Sequence, residues 1–139
     1  MAYWLLKSDP HIYSFDNLVE DERTIWDGVK NAQALLYIRA MHDEDRVLIY
    51  HSGDEPTIVG IGTIESEPYP DPEEDDPKLV VINIRADKRA ASPLSLAKIK
   101  ADPFFADMPL VRQPRLSIMP VTEEQWRRIL DLLGLSSEA

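Results

Sequence analysis

Apolar residues recur along the chain in two distinct periods, and the switches between them outline the elements. "YWLLKS" (3–8) is an unbroken apolar run ending in polar residues, and it predicts a short strand before Pro10. "YSFDNLVED" offers Ser14 as the N-cap of a helix of one or two turns. In "NAQALLYIRAM", Ala34, Leu35, Ile38 and Met41 fall near a three-four spacing behind Asn31, a second plausible cap. "RVLIYHS" alternates instead, with Val47, Ile49 and His51 on one side and Leu48, Tyr50 and Ser52 on the other. "TIVGIGTIE" and "KLVVINIRA" predict two more strands, both rich in β-branched residues. The proline-laden "EPYPDPEEDDP" between them is neither helix nor central strand, because proline lacks the N–H a ladder needs. A short helix in "SLAKIKAD", the irregular "PFFADMPLVRQP" and a strand in "RLSIMPV" ending at Pro120 follow. The last helix carries the clearest signals. Thr122 and Gln125 form a capping box, Trp126, Ile129, Leu130 and Leu133 make one stripe, and Gly134 ends it.

About five strands with few long crossovers predict an α+β fold: a strongly curved mixed sheet or barrel with short peripheral helices. A chain of 139 residues, 44% hydrophobic, suits a single domain over 1–139 with one core. There is no cysteine, so thiolate metal sites and disulfides are excluded, and an intracellular, cytoplasmic setting is compatible with that. The start lacks a basic segment followed by an apolar stretch, so no secretory signal is expected. No apolar run approaches the length needed to span a membrane.

Net charge is −10, which argues against indiscriminate binding to phosphate backbones. The distribution is uneven. Residues 65–76 hold acids and no cation, whereas residues 85–115 hold Arg85, Lys88, Arg89, Lys98, Lys100, Arg112 and Arg115 against three acids. That asymmetry leaves room for one anion-receptive face, and for a basic protein partner on the acidic loop.

Candidate chemistry narrows quickly. "GIG" (60–62) lacks the third glycine and following helix of a dinucleotide site, so its glycines are expected to admit a close neighbour to the sheet. His11, His42 and His51 are widely spaced, and neither a metal nor a cofactor is expected. "HSGD" (51–54) has hydrolase residue types, but His51 and Ser52 point to opposite faces of a strand, and no nucleophile elbow is present. What remains is a set of aromatics beside hydrogen-bonding groups: Trp4, Trp26, Tyr50 and Tyr69. Trp26 stands out because "DGV" after it reads as a surface turn before the Asn31 cap. A ring displayed there, flat face outward, suits stacking on a base whose edge polar neighbours then read. Lys30 and Arg115 are the candidates to meet a phosphate.

"YWLLKSDP", "YSFDNL", "TIWDGVKNAQA", "VLIYHS", "IVGIGTI", "YPDP" and "DMPLVRQPRLSIMPVTEEQW" occur in the order found in EVE-domain proteins, and the chain resembles that family over about residues 3–133. The family belongs to the PUA-like superfamily and is similar in fold to YTH and ASCH domains. The resemblance implies a curved barrel of about five or six strands. It also implies a nucleic-acid-binding module, on DNA or RNA, that takes a modified base, such as a methylated one, into an aromatic-lined pocket, and no enzyme. By motif, the implied pocket comprises Lys7, Ser8, Trp26, Asn31, Tyr50, His51, Ser52, Tyr69 and Asp71, with Lys30, Arg112 and Arg115 on phosphate. The alternatives are a nuclease or nucleotide hydrolase using His51 and Asp71, and a protein-interaction module using the 65–76 loop. Two departures bear on the pocket. Leu35 and Leu36 stand where family members commonly carry arginine and asparagine, and "EEDDPK" is a short segment after "YPDP", which shortens one wall.

Overall fold

In the computed structural model, which describes residues 1–138, strand β1 (Tyr3–Ser8) lies inside a seven-stranded mixed sheet. The others are β2 (Arg23–Trp26), β3 (Arg46–His51), β4 (Thr57–Ile64), β5 (Tyr69–Pro70), β6 (Val80–Ser95) and β7 (Ile118–Val121). The path is β2-β6-β4-β3-β1-β7, with β5 paired to β6. Only β1 and β3 are parallel; the other pairings are antiparallel. Helices α1 (Phe15–Asp21), α2 (Ala32–Arg39), α3 (Leu96–Ala101), α4 (Pro109–Arg112) and α5 (Glu123–Leu132) pack around it.

The α+β expectation stands, but the barrel is corrected. The sheet is open, because the path ends on β2 and β7, which do not pair. Both end strands have four residues, and Pro120 in β7 cannot donate to a further ladder. β6 runs on through "DKRAASPLS" to Ser95, well beyond the predicted "KLVVINIRA".

Both faces of the sheet are covered, which is why the strands read as apolar runs. On β1, Trp4 and Leu6 join one hydrophobic cluster with Phe15, Leu18, Ala34 and Ile38 of α1 and α2. Leu5 joins the other, with Trp126, Ile129 and Leu130 of α5. The predicted alternation in β3 follows the same division: Val47 and Ile49 on the first side, Leu48 and Tyr50 on the second. Gly60 is required by close approach, since a Cβ there would collide with the Phe15 ring. Ser14 and Thr122 form capping boxes with Asn17 and Gln125. Among the described residues no helix is long and apolar enough to cross a membrane.

Candidate nucleic-acid interface

Where β1 leaves the sheet, its last two residues stop being core. Lys7 and Ser8 are half-buried and face a cleft of about 720 Å³. The turn 9–13 forms one wall through Asp9, Ile12 and Tyr13; the end of β2 and the "DGVKN" segment form another. Ser117, just before β7, completes it.

Trp26 is the last residue of β2 and lies opposite Ile82 of β6. It is 9% exposed and belongs to the hydrophobic cluster of α1 and α2. The expectation of a ring standing open on a surface turn is therefore corrected: the turn begins only at Asp27, after a strand the local sequence did not announce. Most of the indole is packed, and the edge of the Tyr13 ring meets it at 6.5 Å between centroids and 85°. Its remaining surface lines the cleft. Gly28, at φ 75°, turns the chain just after it, in a backbone conformation that favours glycine.

The polar lining has defined roles. Asn31 Oδ1 accepts the Ala34 N–H at 3.0 Å as the cap of α2, so its amide NH₂ is the end left for another partner. Lys7 Nζ donates to the Pro114 carbonyl at 2.9 Å and lies 5.4 Å from the centroid of the Tyr50 ring. Burial pulls the Lys7 ammonium below its ordinary range. Ser8 Oγ donates to the Tyr13 carbonyl and so ties strand to wall. Burial raises the Tyr13 phenol above its ordinary range, with Asp21 pushing the same way. Lys30 and Asp27 are exposed on the rim. A smaller groove of about 440 Å³, lined by Asn31, Gln33, Gln113, Pro114, Arg115 and Leu116, adjoins through Asn31. Lys7, Lys30 and Arg115 have no carboxylate within ion-pairing distance among the described residues, whereas Arg112 meets Asp107 at 3.3 Å.

The other residues assigned to the pocket by motif lie elsewhere. Tyr50 is 3% exposed and belongs to the opposite cluster, because it sits on the far face of β3. His51 and Ser52 line a different and larger cleft, about 1020 Å³, with Asp54, Glu55, Leu96 and Lys100. His51 Nε2 accepts the Phe15 N–H at 2.9 Å, so the ring is neutral with its proton on Nδ1 and helps hold the start of α1. Burial pushes the His51 imidazolium below its ordinary range; Asp16 opposes that and Arg89 adds to it. Tyr69 donates its hydroxyl to Asn83 Oδ1 beside a shallow hollow with Arg23 and Glu65, and burial raises its phenol. Asp71 Oδ1 accepts the Glu73 N–H at 2.9 Å in the turn after β5. The separation follows from topology: β5 and its turn pair with β6, away from the end of β1.

The acidic segment is partly used internally. Glu65 meets Arg23 at 2.7 Å and Arg85 at 3.0 Å, and Glu67 accepts from the Asp43 N–H and pairs with His42. Those two contacts hold the Glu67 carboxyl below its usual range. Among the described residues no group of three or more histidines and acids is placed to hold a metal ion.

Asp9, Ile12, Tyr13, Thr24, Ile25, Asp27, Val29 and Ser117 line the cleft without having been assigned to it from the sequence. The available signals were the isoleucine in the polar turn "SDPHIYS" and the acid directly after Trp26.

The EVE-domain family model matches residues 2–132. Among solved structures, protein Rpa0253 of Rhodopseudomonas palustris is 43% identical, with a TM-score of 0.92 over 97% of this chain and 94% of that one. Human THYN1, solved in complex with 5-methylcytosine-containing DNA, is 29% identical, with a TM-score of 0.87 over 96% and 98%. An ASCH protein from Zymomonas mobilis shares the fold alone, at 12% identity and a TM-score of 0.63 over 94% of this chain and 95% of that one.

Proposed function

The chain belongs to the EVE-domain family, and on that premise we propose that it binds nucleic acid by taking one modified base into the cleft at Trp26. The observation that carries the reading is that Trp26, Asn31, Lys7 and Lys30 line one hollow of about 720 Å³, within the range of small-ligand sites. A relative of the same fold, human THYN1, was solved with 5-methylcytosine-containing DNA, which supports a methylated base as the ligand.

The lining suits a base with both donors and acceptors on its edge. The Asn31 amide and the lysine ammoniums donate; the Asp27 carboxylate accepts, as acids do from the amino group of cytosine. Stacking on an aromatic contributes about 1–3 kcal/mol per base. A methyl group seated among Ile25, Val29 and Trp26 adds about 0.8 kcal/mol, or roughly fourfold on burial alone and at most about 200-fold with steric selection. With net charge −10 and three unpaired cations near the cleft, the phosphate contribution is small, and the affinity is on the order of micromolar or weaker.

The test is a titration of short oligonucleotides that differ only in cytosine or 5-methylcytosine. Tighter binding of the methylated strand, diminished in Asn31→Ala, supports the reading. Equal binding of both strands by the wild-type protein and by Asn31→Ala contradicts it.

A further inference from the structure

The turn from Asp9 to Tyr13 is a partition between the two large clefts. Asp9, Ile12 and Tyr13 line the Trp26 side, while Pro10 and His11 line the His51 side. On its crest Ile12 is 82% exposed, the highest value among the large apolar side chains described. A lone exposed isoleucine is ordinary on a protein surface. This one sits at the mouth of the candidate base cleft, and a second, Ile25, is 45% exposed in the lining of the same cleft.

The crest is also held firmly. The N–H groups of Ile12 and Tyr13 both donate to the Asp9 carbonyl at 2.9 Å, and the His11 N–H donates to Asp9 Oδ1 at 2.9 Å. The Ser8 hydroxyl anchors the Tyr13 carbonyl, and His51 receives the Phe15 N–H just beyond. Pro10 restricts the backbone at the start of the turn. An isoleucine is itself stiff at its first side-chain torsion. Little freedom is left to lose when it inserts into something.

We propose that Ile12 is a wedge that enters a duplex in the space vacated when a base leaves the stack for the Trp26 cleft. The proposal rests on the base-pocket reading and extends it to a substrate class: double-stranded nucleic acid with one nucleotide turned out. Removing a base from a duplex costs a few kcal/mol of lost stacking and pairing. An apolar side chain inserted between base steps restores part of the lost contact and keeps water from the gap. Ile12 supplies apolar surface there, and it brings no charge that would have to be desolvated.

The experiment compares a duplex carrying one 5-methylcytosine with the same strand alone, for wild type, Ile12→Ser and Ile12→Met. The expected result is a duplex-to-single-strand affinity ratio that falls about tenfold in Ile12→Ser and is kept in Ile12→Met, since methionine is also a wedge residue. Because Ile12 is exposed, the unfolding midpoints of the three proteins should coincide. A ratio unchanged in Ile12→Ser, or a wild-type protein that binds the single strand and not the duplex, overturns the wedge and leaves the base pocket standing. Absence of binding to either probe by the wild type overturns the base pocket and the wedge with it.

Discussion

Two clefts lie on either side of the turn 9–13, and they differ in kind. The larger, at His51, has histidines, prolines and a mixture of charges, but no aromatic wall, and its central imidazole nitrogen already serves the Phe15 N–H. The smaller, at Trp26, is backed by an indole that the core holds in place, and its rim carries two lysines and an amide with donors to spare. Size does not choose between them. Flat-ligand recognition needs a preorganised aromatic surface with polar groups left unsatisfied by the fold, and only the Trp26 cleft has both.

The largest effect expected from breaking this contrast is at Trp26. Trp26→Ala should weaken methylated-oligonucleotide binding by the loss of about 1–3 kcal/mol of stacking, roughly 5- to 150-fold. Because the ring is also core, the same change should destabilise the fold by about 3–5 kcal/mol. Trp26→Phe separates the two: it should keep the fold at about 25 °C and still lose measurable affinity by isothermal titration. Undiminished affinity in both variants would move recognition away from the indole.

Next come the unpaired cations. Lys30→Ala and Arg115→Ala should each reduce the slope of log affinity against log salt by about 0.7–0.9, whereas Arg112→Ala, already paired with Asp107, should change it little. An Arg112 effect as large as that of Lys30 would mean the strand runs along α4 instead.

The His51 cleft should respond to pH and not to ligand. Burial lowers the folded-state pKa of His51 below its ordinary value. As pH falls through the ordinary histidine range of about 6.5, the unfolded chain therefore gains a proton that the folded chain refuses, and stability drops. His51→Gln, whose carbonyl can still accept from the Phe15 N–H, should flatten that part of the unfolding-midpoint profile. A profile identical to wild type would remove His51 from the pH response. The smallest effect is predicted for Asp71→Asn, which should leave oligonucleotide affinity within about twofold, since its carboxylate lies outside the cleft. A drop larger than that would bring the β5 turn into contact with the ligand.

How much of this the sequence disclosed depended on the distance over which each feature is determined. Caps at Ser14, Asn31 and Thr122 and the α5 stripe rest on neighbours a few residues apart, and they are legible; "GIG" announces a close approach to the sheet, but not that Phe15, far back in the chain, makes it at Gly60. β2 is not, because "RTIW" is only four residues and becomes a strand by pairing with residues 82–85, far along the chain. Missing that strand misplaced Trp26 on an open turn. Alternation in β3 separated Tyr50 from His51 correctly, yet nothing local tells which face of a doubly covered sheet will border a hollow. Lys7, Ser8, Lys30 and Asn31 do meet around the Trp26 cleft, since each flanks the indole or ends the strand beside it. Tyr69 and Asp71 were grouped with them by motif order, and the β5–β6 pairing carries them away.

The most direct test of the account uses the three indole N–H resonances of Trp4, Trp26 and Trp126 in a heteronuclear NMR titration with a 5-methylcytosine oligonucleotide. The Trp4 indole is bonded to buried Asp45 and that of Trp126 lies fully inside the α5 cluster, so neither borders the Trp26 cleft. The account predicts that the Trp26 resonance moves progressively with added ligand, together with the Asn31 side-chain amide, while the other two indoles stay in place. Movement confined to amides around His51 and Leu96, with Trp26 unperturbed, would contradict it.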